Sequence, residues 1–180
     1  MTEVLIVIIV LVLVFAIWFI SVSNKFNIMK VKIEEANAGI DVALQKRYDT
    51  LTKLVDVVKG YAKHEQETLT NVIELRQGMS VSEKANASKE MDALMGKVNV
   101  LVENYPDLKA NTTYIELQRS IVDCEEHLQA ARRLYNSNVT EFNKLLVVFP
   151  SSVVAGMKNL TKQDFFEVEE EKKQDVKINL

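Results

Sequence analysis

Val4–Ile20 reads VLIVIIVLVLVFAIWFI, a run in which every residue is apolar. With Ser21, Val22 and Ser23 the uncharged stretch reaches the ~20 residues a helix needs to cross a bilayer. Trp18 and Phe19 stand near its end, where interfacial aromatics are favoured. A cleaved signal peptide would carry a basic leader, a shorter apolar core and a small-x-small cleavage site. Met-Thr-Glu precedes this run and no such site follows, so it reads as a transmembrane anchor over residues 1–23. Lys25, Lys30 and Lys32 follow closely and no Lys or Arg precedes it. The positive-inside bias therefore predicts a single-pass protein with its N-terminus out and its C-terminal part in the cytoplasm.

Beyond the anchor the apolar period becomes helical. Ile33, Ile40, Leu44, Leu51, Leu54, Val58, Tyr61, Val72 and Leu75 recur at three- and four-residue steps, predicting one helix from Asn27 to about Gly78. Ser80 and Glu83 form an S-x-x-E capping box that opens a second helix, ended near Tyr105 by Pro106. Thr113 and Glu116 suggest a further box opening a third helix, which runs to about Val148 with Tyr114, Leu117, Ile121, Cys124, Leu128, Tyr135, Val139 and Phe142 on its stripe. Pro150 starts a short fourth element, SSVVAGM. The chain has only five glycines and two prolines, so turns are few and long helices are favoured. The fold class expected is all-α: an N-terminal transmembrane helix, then an antiparallel bundle of three long helices and a short fourth. The bundle would occupy residues 24–160, and 161–180 would be a charged, flexible tail. The third helix outlasts the second by about 20 Å. Even so, the stripe Ile28, Ile33, Ala36, Ile40 is expected to lie bare as a stalk, a surface for self-association or for a partner.

Chemistry is sparse. A net charge of −3 gives no basic footprint for nucleic acid. The single cysteine, Cys124, excludes an intrachain disulfide. His64-Glu65 begins an H-E-x-x-H pattern, but position 68 is Thr, so the second zinc ligand is missing. Neither His64 nor His127 has a Glu three residues before it, which excludes the di-iron pattern. Cys124 beside His127 reads as a core thiol rather than a metal or redox pair. There is no phosphate loop and no nucleophile elbow. The expectation is a non-enzyme with no cofactor, metal or small-molecule substrate.

Glu125, Arg132, Asn136 and Asn143, spaced by seven, four and seven, fall on one flank of the third helix, and Asn37 and Arg47 lie similarly on the first. They read as a buried polar ladder that fixes helix register, the alternative being a recognition strip for a partner. The Tyr105-Pro106 turn reads as a stop and cap rather than a binding motif.

Three runs together resemble the LemA family of bacterial membrane proteins: IDVALQKRYDTLTKLVDVVKGYAKHE (Ile40–Glu65), ENYPDLKAN (Glu103–Asn111), and ARRLYN (Ala131–Asn136) with Glu125 before it and Asn143, Phe149 and Pro150 after it. The order of these runs after a membrane span is specific. The resemblance implies a helical bundle anchored in the bacterial inner membrane, without enzymatic activity. It also implies a link to membrane protein quality control, with a membrane-embedded zinc metalloprotease of the HtpX type as partner. Residues carried by it as structural or interaction candidates include Tyr105, Pro106, Tyr135 and Pro150. The competing reading is a signalling or coiled-coil adaptor, weakened by the few residues beyond the span.

Overall fold

A computed structural model describes residues 1–61, 75–76 and 78–167. Within them the chain is all α-helical: α1 (Thr2–Tyr61), α2 (Val81–Glu103), α3 (Pro106–Lys109), α4 (Thr112–Val147) and α5 (Ser151–Met157). A bundle of packed helices, with α3 and α5 short, thus follows an N-terminal apolar helix. Two compact units form, one from Met1–Ala36 with Leu134–Asp164, the other from Asn37–Arg133 with the residues from Phe165 onward.

The second unit contains most of the core. Leu51, Leu54, Val55 and Val58 of α1 pack with Met91, Leu94, Val98 and Leu101 of α2 and with Leu108, Tyr114 and Ile121. Side-chain pairs fix the directions. Tyr61 meets Asn111 and Arg47 meets Glu125, so α4 runs antiparallel to α1. Asn99 meets Gln118 and Ser88 meets Arg132, so α4 is antiparallel to α2 as well. It follows that α1 and α2 run the same way, as Lys84 beside Asn37 and Asp92 beside Arg47 confirm. One predicted boundary is placed too far along the chain by sequence periodicity. Leu75 and Arg76 in fact lie outside any helix, and Gly78 turns the chain at a φ of +81°, which glycine adopts without strain. The His64-Glu65 motif and Val72 lie outside the described residues.

The helix starts follow local chemistry. At α2 the predicted box forms: the Glu83 N–H donates to Ser80 Oγ at 3.2 Å and the Ser80 N–H to Glu83 Oε2 at 2.7 Å. At α4 the predicted Thr113 box gives way to Asn111, whose Oδ1 accepts from the Tyr114 N–H at 3.1 Å. Asparagine two residues earlier serves the same orphan donors, and is at least as good a cap. Pro106 opens the single turn of α3, where its missing N–H costs nothing.

In the first unit α4 again runs against α1. Asn138 Nδ2 donates to the Lys32 carbonyl at 3.0 Å, and Phe142 meets Phe26 edge-on with ring centroids 5.8 Å apart. Both rings are fully buried. Such a pair contributes about 0.5–1.5 kcal/mol beyond its buried area, so this is core, not a bare stalk. Ile33 and Ala36 here, and Ile40 in the second unit, are buried, and Ile28 alone of the expected stripe is exposed. The expectation of an unpartnered stalk is therefore corrected, because α4 reaches the level of Phe26 and covers it. The α4–α5 turn is capped by Ser151 Oγ, 2.8 Å from the Leu145 and Val148 carbonyl oxygens. Its Phe149–Pro150 bond is cis.

Candidate functional site

The polar candidates divide between the two units. In the second, the α1, α2 and α4 stripes converge on Arg47, which is 4% exposed. Its Nη1 donates to Ser88 Oγ at 3.2 Å and its Nη2 to Asp92 Oδ1 at 2.5 Å. The same Nη2 lies 3.1 Å from Glu125 Oε2, close enough for charge attraction but not aligned as a hydrogen bond. Glu125 Oε1 accepts from Gln129 at 2.7 Å. Arg132, also buried, donates to Ser88 Oγ and holds its guanidinium carbon 4.7 Å from the centroid of the Phe166 ring. Ser88 thus accepts from both arginines, one per lone pair, and joins two like charges that would otherwise repel. Asp92 and Glu125 balance them. One turn or so away, Lys84 Nζ donates to Asn37 Oδ1 at 2.8 Å and pairs with Asp41 at 2.6 Å.

The electrostatics follow the burial. The cationic heads are inside, while the carboxylates of Asp92 and Glu125 are 46% and 35% exposed and keep part of their hydration. Burial lowers the Arg132 pKa below the ordinary arginine range, the Glu125 carboxylate opposes that shift, and the Arg47 charge adds to it. An arginine in a protein stays charged, so Arg132 acts here as a fixed cation.

Asn136 and Asn143 do not join that cluster. They lie in the first unit with Tyr135, where the polar groups tie down the chain after α5. Asn143 Nδ2 donates to the Gln163 carbonyl and the Gln163 N–H returns to Asn143 Oδ1, both at 2.9 Å. The Tyr135 hydroxyl, its pKa raised by burial and then by Asp164, donates to the Asp164 carbonyl at 3.0 Å. In the second unit Phe166 is 2% exposed. Gln163, Asp164 and Phe166 are thus each held by the helices, while Thr161 and Lys162 are exposed. Asn136 is half-buried, with its carbonyl accepting from Thr140. Tyr105 packs against the core of the second unit, and Pro106 and Pro150 are exposed at the starts of α3 and α5.

Sequence reading missed Lys84, Ser88 and Asp92. The signal was present for two of them: Lys84 and Ser88 continue the stripe of Met91, Leu94 and Val98 backward at helical spacing, which marks them as buried polar residues that need partners. Cys124 is fully buried, with Sγ 3.9 Å from Thr50 Oγ1, whereas His127 is exposed, so the two do not share a site. His127 instead lines a shallow open depression with Glu125, Glu126, Gln129 and Arg133. Among the described residues no group of three or more His, Cys, Asp or Glu is placed to hold a metal ion.

A helical bundle with an inward-facing, charge-balanced cluster and an exposed N-terminal apolar helix, without catalytic motifs among the described residues, is the class of a membrane-associated helical interaction protein. The family model for the LemA family matches residues 36–180. The chain is similar to Protein LemA of Metamycoplasma hominis, at 30% identity over 166 residues, covering 88% of this chain and 76% of that protein. This chain belongs to the LemA family. It is also similar to the Magnetosome protein MamQ of Magnetospirillum gryphiswaldense, at 24% identity over 72 residues, which is 40% of this chain and 26% of that protein.

Proposed function

We propose that this chain is a single-pass tether of the bacterial inner membrane that presents its helical bundle to protein partners on the cytoplasmic side. The observation that carries this reading is the burial pattern of α1. Its large apolar side chains from Val4 to Ile17 are 50–69% exposed, and the same helix continues into packed core from Phe26 onward. Apolar surface of that extent on a helix of spanning length is stable only in lipid. Residues 1–23 are the anchor, 24–160 the bundle. Arg47, Glu125, Arg132 and Asn37 act inside the bundle, holding helix register, rather than as a recognition strip, since Arg47 faces Glu125, Arg132 shares Ser88 with Arg47, and Asn37 accepts from Lys84. The partner favoured by the family resemblance is a membrane-embedded zinc metalloprotease of the HtpX type.

The test is co-reconstitution. The full-length protein and such a protease from the same bacterium, held inactive by a chelator, are combined in detergent and resolved by size. A shared peak, and a changed turnover of a membrane substrate once zinc is restored, is expected. Separate peaks with unchanged turnover would remove the protease from the proposal.

A further inference from the structure

The turn between α4 and α5 carries an apolar surface that the bundle does not use. Val147, Val148 and Phe149, then Val153 and Met157, all face outward, with Phe149 78% and Met157 63% exposed. These five lie within eleven residues of chain, while Val154 and Ala155, on the other face of α5, are buried. An element with one apolar face packed inward and a second left outward is built to meet something besides water.

Its position says what. The pairing of Asn138 with Lys32 and of Phe142 with Phe26 fixes how α4 descends along α1. Continued at helical rise, Phe149 comes level with roughly residues 19–21, the last turn of the apolar run. Two observations agree with that level. Lys158, just after α5, donates to the Ser23 hydroxyl. Cover on α1 also begins at the same place: residues up to Ile17 are exposed, whereas Trp18, Phe19, Val22 and Ser23 are half-buried. Lys25, Lys158 and Lys162 are exposed nearby, and Lys144 is exposed in a surface pair with Glu141. Lysines on long stems around an apolar face are suited to headgroup phosphates, with the stems lying on apolar surface.

We infer that Val147–Met157 is a foot that inserts its apolar face into the bilayer interface beside the anchor, its lysines meeting the headgroup phosphates. This rests on the reading of Val4–Ile20 as a membrane anchor and extends it. The tether makes contact with lipid at two places instead of one, so it holds the first unit against the membrane surface. A second copy of the chain is the less favoured occupant. The hydrocarbon boundary lies at the height of Phe149 by construction, whereas a second copy would have to cover the same ring of residues within the plane of the membrane.

Tryptophan scanning of the full chain tests this. Trp18, the only tryptophan, is replaced by Trp18→Phe. Single tryptophans are then introduced as Phe149→Trp, Val153→Trp or Met157→Trp, all at exposed positions where folding is not at risk. Val10→Trp reports the anchor and Val122→Trp an exposed site of the second unit. Each protein is reconstituted in vesicles of phosphatidylcholine and phosphatidylglycerol, with and without chain-brominated phosphatidylcholine. The three foot positions should emit to the blue and be quenched to a degree comparable with Val10→Trp and several-fold more than Val122→Trp. Quenching at Val10→Trp with the foot behaving like Val122→Trp overturns the foot and leaves the anchor standing. Absence of quenching at Val10→Trp removes the anchor, and the foot with it. Blue emission at the foot without quenching means cover by protein, a second copy included, and also overturns the proposal.

Discussion

At the scale of single residues, burial and solvent contact decide what each charge contributes. Arg47 touches both carboxylates directly, so Arg47→Met takes away the nearest cation of Asp92 and Glu125 and leaves only Arg132 to offset them. A fully buried pair broken this way costs ~3–5 kcal/mol. Here both carboxylates reach solvent and rehydrate in part, so about 2–3 kcal/mol is expected in denaturant unfolding of the detergent-solubilised chain. Arg132→Met removes one hydrogen bond and the stacking on Phe166, and leaves no carboxylate without its nearest partner. Its cost should be smaller, about 1–2 kcal/mol. A larger loss at position 132 than at 47 would mean that Glu125 depends on Arg132 instead. The inward character of this set was legible from the seven- and four-residue spacings of Glu125, Arg132, Arg47 and Asn37 on apolar stripes. Its wiring was not, because Ser88, the hydroxyl that joins the arginines, looks like any other small polar residue until α2 is placed beside them.

Elements show a similar division. Helix content, the Ser80 box and the end of α4 follow from local sequence, since caps and prolines act within one turn. Directions and registers do not, because they depend on contacts between residues far apart in the chain. That is why α2 parallel to α1, and α4 covering Ile33, were not readable. Two elements yield tests. At the start of α2 the Ser80 N–H, and then the Ser80 hydroxyl, lower the Glu83 pKa below the carboxylate norm. A depressed folded pKa gives stability that is present above the unfolded value of ~4.3 and lost as pH falls through the folded one. Ser80→Ala removes only the hydroxyl contribution, so the Glu83 midpoint in an NMR titration should rise partway toward normal, and an unchanged midpoint would contradict the box. After α5, Asn143 holds Gln163 by two bonds. Asn143→Ala should free the segment around exposed Lys162 and speed tryptic cleavage there about tenfold or more, two hydrogen bonds being worth ~1–3 kcal/mol of local opening. Equal cleavage rates would show that Tyr135 and Phe166 suffice to hold it.

For the whole molecule the open variable is which way it faces, and the charges that set it are few. Orientation during insertion responds to Lys and Arg close to the span, and acidic residues count for little. Lys25, Lys30 and Lys32 therefore outweigh Glu34 and Glu35 despite similar numbers, and all three lysines are exposed. Fusion after Leu180 of a reporter active only outside the cytoplasm should give no signal, and one active only inside should give full signal. The causal claim needs a second step. Lys25→Gln, Lys30→Gln and Lys32→Gln together remove the nearby positive charge without touching the buried face of α1, where Phe26, Met29 and Ile33 lie. The triple variant should insert in mixed orientation, so both reporters give intermediate signals. If the native chain reports outside, the proposed cytoplasmic partners are excluded. If the native chain reports inside but the triple variant does too, the orientation is set elsewhere, and the lysines at the base of the bundle are left with lipid headgroups as their task.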